Sequence, residues 1–123
     1  MPTRSFASLA EIAPMGIWDG VLARTIEGRG CSFAVIELEA ESVVPEHSHD
    51  NEQLGIVITG SVSFRIGEET REVGPGDTWR IPGSVPHEVR AGPEGAVVID
   101  VFAPARDDWS AIERLEPSAP RWP

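Results

Sequence analysis

The residues best suited to chemistry are three histidines, the only ones in the chain. His47 and His49 stand at i and i+2, so on an extended strand both rings point to one face. His87 comes much later, at the start of another strand-like run, after the turn-rich stretch Pro82-Gly83-Ser84-Val85-Pro86. Neutral imidazole is the commonest metal ligand. Three imidazoles and one oxygen donor suit zinc, iron, nickel or manganese, so one divalent ion per chain is expected. The oxygen donor is Gln53 or Glu52. A carboxylate is the stronger donor, but Gln53 shares strand parity with His49. Three imidazoles and an amide are all neutral, which leaves the ion its full charge for Lewis-acid work and favours oxidation chemistry less. The competing interpretation is three structural histidines with satisfied hydrogen bonds.

A second group of polar residues lies near the C-terminus. Asp100 interrupts the apolar run from Ala96 to Ala103, on the same strand face as Val98 and Phe102. A carboxylate there is costly to bury unless it is paired or metal-linked. Arg106 follows within reach, beyond the turn at Pro104. An Asp100–Arg106 pair could pin the C-terminal segment, or the two could serve a reaction.

The elements that must position these groups are short strands. Ile17 to Ile26 and Cys31 to Leu38 read as strands joined by Gly28-Arg29-Gly30. Val43 to His49 leads to Gln53 to Thr59, which Gly60 ends. In Ser61 to Ile66 the apolar residues Val62, Phe64 and Ile66 alternate with Ser63 and Arg65, and Gly67-Glu68 turns the chain into Thr70 to Val73. Gly74-Pro75-Gly76-Asp77 is a strong turn signal before Thr78 to Ile81, and Pro86 to Arg90 and Ala96 to Ala103 complete the set. Near-regular spacing of such strands favours a sandwich or closed barrel. Asp107 to Leu115 is the one helical candidate, and residues 117–123 form a proline-rich extended tail. Residues 1–15 are weakly patterned.

With 123 residues there is room for a single core, so residues 1–123 are expected to form one domain. A net charge of −10 would repel a phosphate backbone or an anionic membrane, so neither is an expected partner. An acidic small molecule would need a local cation to hold it. The lone cysteine, Cys31, allows no internal disulfide and reads as a buried thiol. The first sixteen residues carry no continuous apolar core of a signal peptide, so the expected location is the cytoplasm.

The spacing of these residues resembles the paired motifs of the cupins. His47-Ser48-His49, Gln53 and Gly60 follow the first motif, with Gln in place of Glu and Glu41 in place of its leading Gly. Gly76, Pro82, Ser84 and His87 follow the second, with Ser in place of a Gly and Ala91 in place of the closing Asn. The resemblance implies an all-β, cupin-type double-stranded β-helix (a jelly-roll barrel) with a short C-terminal helix or turn. It also implies His47, His49, Gln53 and His87 as metal ligands. Asp100 to Trp109 further resembles the C-terminal signature of the small pectin-degradation cupins, which linearise 4,5-unsaturated monouronates. That resemblance implies Asp100 as acid–base, Arg106 as substrate-binding arginine, Phe102 as a pocket aromatic and a sugar acid as substrate. A cupin dioxygenase and a non-catalytic metal- or sugar-binding module are the alternatives. Apolar residues on both faces of Leu54 to Ile58 point to a homodimer that covers the outer one.

Overall fold

A computed structural model describes residues 5–123. Eight strands follow in order: β1 (Met15–Trp18), β2 (Val21–Glu27), β3 (Ser32–Leu38), β4 (Val43–His47), β5 (Glu52–Ile66), β6 (Glu69–Val73), β7 (Thr78–Ile81) and β8 (His87–Ala103). All pairings between them are antiparallel. The all-β expectation holds, but several boundaries differ from it: β4, expected to run to His49, ends at His47 and leaves His49 in the link to β5.

The first expected strand is two. Gly20, at φ 76°, takes the left-handed conformation that closes a tight turn, and β1 folds back on β2. Cys31 belongs to the turn between β2 and β3, where its carbonyl accepts from Gly28 N–H at 2.8 Å, and it is half-buried rather than buried. Gly60 does not end a strand. The register of β5 against β8 shifts between Val57 and Thr59 and again between Gly60 and Val62, so β5 bulges, bends and continues. Likewise β8 is one strand where two were expected.

These two long bent strands build the architecture. The first half of β5 pairs with β7 and its second half with β6. The first half of β8 pairs with β4 and its second half with β3. Because β5 and β8 also pair with each other along their length, two sheets are formed from one continuous ladder. One carries β1-β2-β3-β8-β5-β7 and the other β4-β8-β5-β6. Their inner faces supply the core, with Val21, Ala34 and Val57 facing Val62 and Phe64 across the interior.

The expected helix over 107–115 is a 3₁₀ segment, Asp107–Ala111, and no more. Trp109 is buried and anchors it. Beyond it the chain extends to reach the open edge of β1: Arg114 bridges Met15, and Leu115 N–H donates to the Pro14 carbonyl at 2.8 Å. Edge pairing wins over helix propensity because it satisfies backbone groups that would otherwise face solvent unpaired.

Residues 117–123 are not regular, yet they are fastened to the outside of β2 and β3. Arg24, 1% exposed, donates through Nε to Glu37 at 3.1 Å, through Nη1 to the carbonyls of Ile12 and Ser118, and through Nη2 to the Ser118 hydroxyl. Arg121 closes the arrangement, donating to the Leu38 carbonyl and, through its backbone N–H, to Glu37. Among the described residues no helix is long and apolar enough to cross a membrane. Arg24→Ala would remove the cation paired with the buried Glu37 carboxylate, leaving it the Arg121 backbone N–H, and would loosen the chain at Ile12 and Ser118. Urea denaturation should show a loss of about 3 kcal/mol or more; a loss below about 1 kcal/mol would mean that the clasp carries no stability.

Candidate functional site

His47 closes β4 and His87 opens β8, and the two are register partners. His49 follows His47 in the link to β5. The three rings converge, with centroids 4.3 Å (His47–His87), 4.9 Å (His49–His87) and 5.6 Å (His47–His49) apart. One ligand nitrogen from each lies within 4.8 Å of the others. The backbone sets the tautomers. His47 Nδ1 faces the Pro45 carbonyl at 2.8 Å, His49 Nδ1 the Asn51 carbonyl at 3.0 Å and His87 Nδ1 the Val85 carbonyl at 2.9 Å. A carbonyl can only accept, so Nδ1 carries the proton in all three rings and each Nε2 presents a lone pair.

Two observations fit that arrangement to a cation. His87 Nε2 is buried and has no hydrogen-bond partner among the described residues. His49 Nε2 lies 3.2 Å from Gln53 Oε1, so two lone pairs face each other unless a positive charge lies between or beside them. Gln53 is buried on the inner face of β5, whereas Glu52 is exposed on the outer one. The alternation of β5 therefore directs the amide, and not the carboxylate, toward the histidines. Burial lowers the proton affinity of His87 to a pKa of about 4, helped by the neighbouring His47, His49 and Arg106. Burial, then Arg106, also lowers that of His49. Both rings are thus neutral and available as ligands at neutral pH.

Asp100 lies deeper, 4% exposed, on the same cavity. Its Oδ1 accepts from the Trp79 indole N–H at 2.8 Å, and the Gln53 side chain bonds to it as well. Burial outweighs these bonds and raises its pKa to about 6. Arg106 does not pair with Asp100 directly. Its Nε and Nη2 make two parallel bonds to Asp108 at 2.9 and 2.8 Å. Its guanidinium carbon lies 4.7 Å from the centroid of the Phe102 ring and 4.4 Å from that of Trp109, against the corner where those two rings meet edge to face. The sequence-derived pin between Asp100 and Arg106 is therefore replaced by a stacked arginine held by its near neighbour Asp108.

His47, Gln53, His87, Asp100, Phe102 and Arg106 all line one cavity of about 220 Å³, with the His49 ring 5.7 Å from that of Phe102. Both sheets contribute to its wall. At the rim Trp18, 40% exposed, sets its ring 5.7 Å from that of His47. Sequence reasoning missed Trp18, Trp79, Asp108 and Trp109. For Asp108 and Trp109 a signal existed, since an Asp two residues after an Arg can close a fork on it; a helix assignment hid it.

Comparison with known proteins agrees with this geometry. The family model described as "Cupin domain" matches residues 34–102, more than half of the chain. An uncharacterised protein of Streptomyces coelicolor is 26% identical over 86 residues, covering 70% of this chain and 82% of that protein. Among solved structures, an RmlC-like cupin from Shewanella frigidimarina superposes with a TM-score of 0.81 at 21% identity, covering 87% of this chain and 96% of that one. KdgF from Halomonas sp. superposes at 0.79 with 26% identity, covering 86% and 98%. Bacillus subtilis oxalate decarboxylase superposes at 0.75 with 23% identity, but this chain spans only 34% of it.

The buried Asp100 makes stability depend on pH in a definite direction. Its carboxyl titrates at about 6 in the fold and near 3.8 when free. Its favourable contribution is therefore complete below 3.8 and lost as pH rises through 6. Asp100→Asn removes a buried charge and should stabilise chelator-treated protein at pH 8, on the order of 2–3 kcal/mol. The gain should largely vanish at pH 4. Thermal unfolding at both values checks this, and a variant no more stable than wild type at pH 8 would contradict it.

Proposed function

We propose, for a chain that belongs to the cupin domain family, a metal-dependent ring opening of a 4,5-unsaturated monouronate to its open-chain keto form. The ligands in this reading are His47, His49, Gln53 and His87, around one zinc, nickel, iron or manganese ion. The observation that carries it is the meeting of a buried carboxyl, Asp100, and a stacked guanidinium, Arg106, in the cavity into which the histidines turn their free nitrogens. The resemblance of Asp100 to Trp109 to the pectin-degradation cupins supports it, as does the 26% identity with KdgF over nearly that whole chain.

The chemistry asks for few groups. The substrate is a cyclic hemiacetal whose ring oxygen belongs to an enol ether. Opening it removes the anomeric hydroxyl proton, breaks the bond from the anomeric carbon to the ring oxygen, and returns the proton to the former alkene carbon. A bound divalent ion would supply Lewis acidity for the oxygen that gains negative charge. Asp100 takes the hydroxyl proton and delivers it to carbon, so the reaction is an isomerisation with no net gain or loss of atoms. A carboxyl with pKa about 6 suits both halves near neutral pH, and such acid–base catalysis supplies about 10²–10⁴-fold. Arg106 holds the substrate carboxylate, and with the ion it offsets locally the −10 charge of the whole chain. Phe102 and Trp109 keep the guanidinium plane fixed.

The wall of the cavity is otherwise largely apolar, with Ile36, Val44, Val62 and Val98 among its residues. That favours a second reading, metal-dependent dioxygenation of an acid with an apolar body. Pure metal-loaded protein mixed with unsaturated monouronate should bleach the enol-ether absorbance. His47→Ala with His87→Ala should remove both metal and activity. Asp100→Asn should lower kcat at least about 10²-fold while metal stays bound, and Arg106→Ala should chiefly raise KM. Oxygen uptake with no bleaching would replace the first reading by the second.

We also propose a homodimer. Leu54, 45% exposed, and Ile26, 55% exposed, lie on the outer side of the β2-β3-β8-β5 sheet, and a second copy would cover them. Light scattering should give about twice 13.3 kDa at micromolar concentration; a monomer would rule it out.

A further inference from the structure

Trp79, Gly55 and Asp100 form a row across three strands. Gly55 in β5 is the register partner of Trp79 in β7 on one side and of Asp100 in β8 on the other. The interior of a strand is a poor place for glycine, which weakens it and offers no side chain to pack. Gly55 does not occupy the left-handed region, so backbone conformation gives no reason for it. Space does. A Cβ built there would collide with Asp100 Oδ1 and with the Trp79 indole at Nε1 and Cε2. The indole crosses above Gly55 to reach a carboxyl two strands away.

We infer that Trp79 is a positioning residue for the Asp100 carboxyl and that Gly55 is the gap through which it acts; the inference rests on Asp100 being the acid–base of the reaction proposed above. The indole N–H is a donor only, so it can neither take the proton that Asp100 moves nor supply another. By engaging Oδ1 at 2.8 Å it leaves proton transfer to Oδ2. The Trp79 ring is itself held, 8% exposed and packed on Phe64 at 4.9 Å between centroids. Gln53, two residues before Gly55 on the same face of β5, bonds to the carboxyl as well. The indole bond, made from two strands away, thus holds the carboxyl against rotation. A reacting group displaced by about 1 Å can lose about 10²-fold in rate.

The test joins kinetics to a measurement that needs no substrate. Metal-loaded Trp79→Phe keeps an aromatic ring but loses the N–H. It should keep its metal content and a KM within about twofold of wild type while kcat falls at least about tenfold. Gly55→Ala, which pushes a methyl into the bond, should move kcat in the same direction. In nitrogen-15 spectra the indole N–H signal that Trp79→Phe deletes should exchange slowly with deuterium oxide, and Asp100→Ala should shift it. An unshifted signal in Asp100→Ala, or a wild-type kcat in Trp79→Phe, would overturn the positioning role. If Trp79→Phe does not fold, Gly55→Ala and the spectrum of Asp100→Ala decide. If wild type leaves unsaturated uronates untouched, the substrate reading falls, and the indole signal alone decides whether Trp79 holds Asp100.

Discussion

A carboxyl group survives inside a β-sandwich only if donors meet it there, and much of this interior is arranged around that requirement for Asp100. Burial pushes its proton affinity upward, while bonds from Gln53 and Trp79 pull it back. One donor comes from β5 and the other from β7, so the two strands on that side of β8 are both committed. The same Gln53 that bonds to Asp100 turns its carbonyl oxygen to His49. An amide can do this because it carries a donor and an acceptor; a glutamate would set one carboxylate against another. The glutamine found where cupin motifs carry glutamate thus has a local reason in the carboxyl next to it. The net effect is a cavity in which a buried carboxyl costs stability.

The histidines were legible in the sequence because all three fall at the spacings of the paired cupin motifs, although His49 lies just beyond β4 rather than on it. Asp100 was legible because a carboxylate in an apolar strand demands an explanation. The motif spacing from Gln53 to Gly60, together with strand parity, favoured Gln53 over Glu52. Other features depended on pairing that no local pattern encodes. Gly60 reads as a stop, yet a bulge carries β5 through it. Trp79 falls inside the expected strand Thr78 to Ile81 with nothing in the sequence to single it out, and only the row it shares with Gly55 and Asp100 distinguishes it. The C-terminal segment reads as helical from its composition, but the free edge of β1 draws Arg114 and Leu115 into extended backbone.

Charge is distributed to similar effect. The chain is strongly acidic overall, yet the cavity holds an arginine that is nearly buried. The Phe102 and Trp109 rings pack against it and the Asp108 carboxylate holds one of its edges. Asp108 is itself largely exposed, and Arg106 holds its proton affinity below the usual carboxylate range. The guanidinium is therefore paired along one edge only, and its Nη1 end has no protein hydrogen bond among the described residues.

The long pairing of β5 with β8 also bears on how the chain finds its fold. Those strands flank β6 and β7 in sequence, so their ladder joins only after the two intervening strands have been gathered into a loop. The entropy of closing that loop is spent before the ladder returns any stability. Because each long strand belongs to both sheets, neither sheet can form as an independent early unit. Non-local β topologies of this kind reach the native state over milliseconds to seconds rather than microseconds. The histidine cluster unites the end of β4 with the start of β8, so it is complete only once those two strands have paired.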